Sequence, residues 1–327
     1  MVNEHLNLYT HDGQFHADEV FATAMFSIIS DDLNIVRGSD TDLPKDTVNW
    51  IIYDIGGGEL DHHSPENKER NGTHPGTVIP YAACGLVWKK YYRDVLEALD
   101  CPESYMDTVF RRVNTSLILG IDAADNGYDP VLGVMEDLNL DEHIRTDIAA
   151  QARVGMTVSQ VIKDFNPPWN SSMDPFEAFM DAVSFAKDIL LNRIDSVISS
   201  LDGRDYVQQC IYYSSDHMMI MDEFAPWEGV IYSRSSFDPK AHDIWFVISP
   251  ALRGGWNVQC VLNNSDDRTS YRCALPESWY GLRYEELQTA SGIPTAIFCH
   301  PTGFLAGAET KSDAVKMAQR AMEESRK

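Results

Sequence analysis

Apolar and polar residues alternate over His5-Leu6-Asn7-Leu8-Tyr9-Thr10, the period of a strand, and apolar positions then recur at helical spacing at Val20, Phe21, Ala24, Met25, Ile28 and Ile29. The chain therefore opens as strand, loop and helix. Asn34–Arg37 and Val48–Asp54 read as two further strands, and the apolar run Ile51-Ile52-Tyr53 predicts burial on both faces, as in a parallel sheet. A Gly56-Gly57-Gly58 break follows, and helical patterns cover about 81–99, 104–120 and 142–164. Early strands with helices packed around them predict an α/β domain with a mainly parallel sheet flanked by helices.

The stretch Asn166-Pro167-Pro168-Trp169-Asn170-Ser171-Ser172 cannot continue a helix, because its prolines remove donors and fix φ. It is the expected junction, which gives domains 1–170 and 171–327. The second begins with a linker helix over about 176–200. It continues through strands at Met218–Met221, Asp243–Ser249 and Trp256–Leu262, a helix near 283–291, the strand Thr295–Cys299 and a terminal helix from about 310. That is a smaller α+β unit.

In 327 residues there are 50 acidic and 26 basic side chains, a net charge of −24. Such a surface argues against broad adhesion to nucleic acid or anionic membrane. Residues 1–150 hold 27 of the acids against 10 bases, so divalent cations are expected there. No apolar run approaches the roughly 20 residues of a membrane span, and Met1-Val2-Asn3-Glu4-His5 lacks the basic start of a signal peptide. The expectation is an intracellular, cytoplasmic protein. Its six cysteines form no CxxC pair and are expected to be reduced.

Four groups fall at expected strand ends or turns, where open α/β sheets place ligands. They are Thr10-His11-Asp12-Gly13-Gln14-Phe15-His16-Ala17-Asp18-Glu19; Asp54; Asp61-His62-His63; and Asp122 with Asp125-Asn126-Gly127. Each has an ordinary reading: a turn at Asp12-Gly13, first-turn helix acids at Asp18 and Glu19, a helix stop at Asp125. Their joint occurrence in one domain favours a metal site instead, and mixed imidazole and carboxylate suits a transition metal. Two ions bridged by one aspartate would hold a hydroxide for in-line attack on phosphorus.

Asp61-His62-His63, with upstream His11 and Asp18, strand-end Asp54 and downstream Asp122, resembles the DHH phosphoesterase superfamily. The closer likeness is to its melanocyte-proliferating-gene (MYG) branch of metal-dependent exonucleases. It rests on Thr10-His11-Asp12-Gly13, Phe15-His16, Asp18-Glu19, Gly85-Leu86-Val87 and Ile121-Asp122, and continues through Gly255–Val261, Leu275–Trp279 and His300–Thr310. The resemblance implies a DHH-type N-terminal domain and a 3′-5′ exonuclease on RNA ends. It implies two divalent ions, Mn²⁺ ahead of Zn²⁺ or Mg²⁺, held by His11, His16, Asp18, Asp54, His62 and Asp122. Asp54 would be the bridge and, with His62 and His63, would stand at the catalytic step. Asp61 would orient a neighbouring imidazole, and Asp125 is either a ligand or a turn residue. Arg253, Gly254, Gly255, His300, Gly303 and Lys311 would contact substrate. Single-stranded RNA or a short nucleotide is the expected partner, with no membrane, and self-association is compatible with the sequence. A phosphatase or phosphodiesterase of small nucleotides and a non-catalytic metal-dependent binding protein are the alternatives.

Overall fold

Strand β1 (Leu6–His11) is the middle of a three-stranded sheet, between β2 (Leu33–Gly38) and β3 (Ile51–Ile52), with both pairings parallel. This is a computed structural model, and it describes residues 5–64, 79–128, 140–152 and 155–325. The third strand is shorter than the apolar run suggests, because Thr47–Asn49 forms a 3₁₀ turn capped by Asp46. Tyr53 and Leu60 then pair across the glycine turn. Helix α1 (Ala17–Ile29) buries Val20, Phe21, Ala24 and Met25, the stripe read from the sequence.

Helices α2 (Ala83–Ala98) and α3 (Glu103–Val113) follow, and a π turn over Asn114–Ile118 carries α3 into α4 (Leu119–Asp125). The pattern over 142–164 resolves into two helices. These are α5 (Glu142–Ala152) and α6 (Val158–Lys163), the latter started afresh by a Thr157–Gln160 capping box after Gly155 at φ +106°. Helix α7 (Pro175–Asp202) follows the proline segment. By compactness the chain divides between Ile198 and Ser199, within α7. Residues 171–198 thus fall in the first unit, where Phe179 is fully buried with its ring 5.5 Å from that of Phe15.

The second unit holds a five-stranded sheet of order β4-β5-β6-β8-β7: β4 (Met218–Ile220), β5 (Phe246–Pro250), β6 (Trp256–Cys260), β7 (Ala296–Cys299) and β8 (Leu305–Ala308). Only β4 and β5 are parallel; the other pairs are antiparallel. Alternation along β5 sends Phe246 and Ile248 to one face, against α11 (Tyr284–Ser291) and α12 (Lys311–Ser325). It sends Val247 to the other face, against α8 (Arg204–Tyr212), α9 (Glu228–Arg234) and α10 (Pro239–His242). The sequence reading left out these last three helices and β8.

Gly255, at φ +79°, begins the approach of β6 to β8: a Cβ there would stand 2.6 Å from the Ala308 carbonyl oxygen. The clash is with backbone, and the conformation is one that only glycine adopts without strain. Gly255→Ala is expected to destabilise the second unit by about 2–4 kcal/mol, read as a lowered denaturant midpoint at unchanged m-value.

Candidate metal centre

The cluster of acids and imidazoles is built by strand ends and one helix start. His11 closes β1, Asp54 follows the short β3, and Asp18 and Glu19 occupy the first turn of α1. Parallel strands bring these positions together at their carboxyl ends. Asp54 has φ +62°, the left-handed region, which a non-glycine residue holds only when its surroundings impose it. Its amide donates to the Leu60 carbonyl at 3.1 Å, so the turn that creates the strain also fixes the carboxylate.

Asp61 secures that turn. Its Oδ2 accepts the Gly57 amide at 2.7 Å, and its Oδ1 accepts the His63 amide at 3.0 Å and the His63 Nδ1–H at 2.8 Å. The His63 ring, largely exposed, stands with its centroid 4.2 Å from that of His62. His62 is buried, with Nδ1 3.1 Å from Asp54 Oδ1 and 3.9 Å from Asp18 Oδ2, and Nε2 3.0 Å from Asp125 Oδ2.

His11 is held at the other end. Its Nδ1–H donates to the Asp12 carbonyl at 2.7 Å, which turns Nε2 toward Glu19 Oε1 at 3.0 Å and Asp54 Oδ2 at 3.3 Å. An imidazole nitrogen between two carboxylates needs either a proton or a metal ion there. Glu19, fully buried, also accepts the His16 amide at 2.9 Å and 3.0 Å. It belongs to this cluster, whereas the sequence reading placed it in the first candidate group but not among the ligands. The signal was its adjacency to Asp18.

Four overlapping donor groups result: Asp54, Asp61, His62 and His63; His11, His16 and Glu19; His16, Asp18 and Asp125; Asp18, Glu19 and Asp54. Asp122 is in none of them. Its Oδ1 accepts the Gly85 amide at 2.9 Å, while Asp18 Oδ2 accepts the Ala83 amide at 3.3 Å, so both carboxylates receive the first amides of α2. Asp125, one helical turn on, reaches His62 instead. The groups open on a cavity of about 1380 Å³ whose wall also includes Gln14, Asp40, Thr157, Ser159, Gln160 and Lys163.

The donor set fits divalent cations. Asp18 Oδ1 is buried without a hydrogen-bond partner, which costs free energy unless a cation meets it, while buried Asp54 Oδ1 and His62 Nδ1 have only one another, 3.1 Å apart, where a cation could replace a proton. Proton affinities point the same way. Burial opposes charge on His11, but Asp54 and Glu19 outweigh it and raise the imidazole to about 11. Burial likewise opposes charge on His62, and Asp125 and Asp54 raise it to about 9. Burial, then Asp54, Glu19 and Asp125, push Asp18 well above the usual carboxylate range.

The second-unit residues lie in turns and at element starts. Arg253 is exposed, followed by Gly254 and Gly255, both at positive φ. His300 Nδ1 accepts the Thr302 amide at 3.2 Å, Gly303 packs its backbone on the Tyr280 ring, and Lys311 pairs with Asp222 at 2.6 Å above the Trp256 ring.

A unit that gathers histidine and carboxylate donors at the carboxyl ends of parallel strands is an α/β protein with the makings of a metal site. A family model, MYG1_exonuc, described as "Uncharacterised protein family (UPF0160)", matches residues 7–322, and the chain belongs to that family. It is similar to the MYG1 protein of Schizosaccharomyces pombe, 27% identical over 98% of this chain and 99% of the relative. It is 29% identical to the MYG1 protein of Dictyostelium discoideum over 98% of each. The MYG1 exonuclease of Mus musculus is 30% identical over 95% of this chain and 83% of its own length. Among solved structures, RecJ in complex with Mn²⁺ from Thermus thermophilus matches at TM-score 0.26 and 13% identity, over 97% of this chain and 52% of that one; a likeness so slight supports no argument.

With His11 and His62 raised to about 11 and 9, both carry protons at neutral pH that an incoming cation must displace. Mn²⁺ uptake is expected to release protons, and affinity to rise with pH between about 6 and 8. Calorimetry in buffers of different ionisation enthalpy checks this; affinity that falls as pH rises would contradict it.

Proposed function

We propose that the chain is a metal-dependent phosphodiester hydrolase, an exonuclease that removes nucleotides from the 3′ end of single-stranded RNA with two divalent cations in the first-unit cavity. The observation that carries this reading is that Asp54 is shared between two donor groups, one with His62 and one with Asp18, whose buried Oδ1 has no partner. A shared carboxylate is what a two-ion site requires. The resemblance to a family of exonucleases supplies the substrate and polarity, and the donor chemistry favours Mn²⁺, with Zn²⁺ or Mg²⁺ as the other candidates.

His11, His16, Asp18, Glu19, Asp54, His62 and Asp125 would hold the ions, with Asp54 between them and Asp122 supporting α2 behind Asp18. Bound ions would supply an acidified water and neutralise charge developing on the phosphate. The protein's own groups do the rest. His63, oriented by Asp61, faces the cavity, where it can meet a phosphate oxygen or give a proton to the leaving group. Lys163 is the one lysine or arginine among the described residues that line the same cavity, and buried Ser159 Oγ has no partner. These side chains would meet the phosphates of a short single strand.

Asp54→Asn removes the shared charge and is expected to lower kcat by about 10³-fold or more while circular dichroism stays unchanged; full turnover in the folded variant would remove the bridging role. Lys163→Ala is expected to raise KM about tenfold, the loss of one charged contact of about 1.4 kcal/mol, with little change in kcat. End-labelled oligonucleotides, dinucleotides and mononucleotides incubated with Mn²⁺ test the class. A ladder supports the exonuclease, cleavage of only the shortest species supports a small-nucleotide hydrolase, and Mn²⁺ uptake with no phosphate release supports a binding protein.

A further inference from the structure

The loop from β1 to α1 carries or adjoins His11, His16, Asp18 and Glu19, yet it has little regular structure of its own. Two side chains from outside the loop tie its backbone. Arg37, on β2, donates from Nε to the His11 carbonyl at 3.1 Å and from Nη2 to the Gly13 carbonyl at 3.3 Å. Its guanidinium lies 5.4 Å from the Phe15 ring and 4.5 Å from the Phe179 ring. Asn166 makes the second tie. Its Oδ1 accepts the Phe15 amide at 2.9 Å and its Nδ2 donates to the Phe15 carbonyl at 2.8 Å.

One side-chain amide thus satisfies both backbone groups of one residue, as a rung of an antiparallel ladder would, from 151 positions away in sequence. Asn166 is itself held. Its amide donates to the Lys163 carbonyl at 3.1 Å, its Nδ2 donates there also at 3.1 Å, and Pro167-Pro168 restrict the backbone that follows. Phe15 is buried between the two ties, and His16, next in sequence, appears in two of the donor groups.

We propose that Asn166 is a positioning residue that locks the Phe15 peptide and so holds His11 and His16 where they can share cations. The inference rests on the metal-centre reading above. It also gives the proline segment a role other than that of a linker: it anchors the wall bearing Lys163 to the loop bearing the ligands.

The test uses the full chain and Mn²⁺ alone, titrated by calorimetry into wild type, Asn166→Ala, Asn166→Asp and Lys187→Ala. Asn166→Ala removes both bonds and is expected to weaken Mn²⁺ binding by about 10- to 100-fold, the usual effect of losing a group that orients a ligand. Asn166→Asp keeps the shape and the acceptor but sets a carboxylate oxygen against the Phe15 carbonyl, so it is expected to lose at least as much. Lys187→Ala is the stability control. It removes a 2.7 Å bond to the Ser27 carbonyl elsewhere in the same unit and should lower Tm without changing Mn²⁺ affinity. Wild-type affinity in both Asn166 variants overturns the positioning role and leaves the metal centre standing. An equal loss in Lys187→Ala assigns the effect to general destabilisation and also overturns it. A wild-type chain that takes up no Mn²⁺, Zn²⁺ or Mg²⁺ overturns the metal-centre reading, and the positioning role with it.

Discussion

Buried negative charge is the constraint around which the first unit is arranged. Asp18 and Glu19 are fully buried and Asp54 nearly so, and among the described residues none of the three forms an ion pair with lysine or arginine. Their donor atoms lie within 4.8 Å of one another, close enough for like charges to repel strongly in a medium of low dielectric. Two kinds of relief are available. Protons can be taken up, which is the direction in which His11, His62 and Asp18 are shifted, or divalent cations can be. A proton can sit between Asp54 and His62, 3.1 Å apart, but the buried Oδ1 of Asp18 has no partner, and the donor groups around it fit divalent cations.

The backbone around the cage shows how that charge is kept in place. Asp54 sits in a left-handed conformation, Gly56 and Gly57 turn the chain at φ +83° and +69°, and Asp61 fastens the turn through the Gly57 amide. On the other side the buried carboxylates of Asp18 and Asp122 take the opening amides of α2, whose N-terminal dipole end favours negative charge. Secondary structure and site therefore depend on each other. The helix start needs the acids as caps, and the acids draw on the helix start for compensation.

Much of this was legible in the sequence, and what was not has identifiable causes. His11, Asp54 and His62 declared themselves because polar groups at the ends of apolar strands are local patterns. Glu19 was hidden by doing two things at once: it caps α1 as any first-turn acid would, and it also reaches His11. Asp122 entered the ligand set on the family resemblance, and that Asp125 stands beside His62 was not readable from the chain, because the π turn at Asn114–Ile118 breaks the helical phase ahead of both. Asn166 was invisible because its partner lies 151 residues away and its neighbours are prolines, which read as a boundary. Helices α8 to α10 and strand β8 are short, and short elements are set by the sheet they cover more than by their own pattern.

The second unit sharpens the question of where phosphate is met. A glycine pair, a histidine and a lysine suggest an anion site when read along the chain, yet the fold gives most of them other partners. Gly255 is required by the Ala308 backbone, Gly303 by the Tyr280 ring, His300 is engaged by Thr302, and Lys311 is paired with Asp222. Lys163 differs in that it lines the same cavity as the acids. Because Asn166 bonds the Lys163 carbonyl and the Phe15 peptide together, the end of α6 and the loop bearing His11 and His16 are fastened to one another. That tie sets the backbone of the loop without help from any ion, the kind of preorganisation that a site of several donors requires.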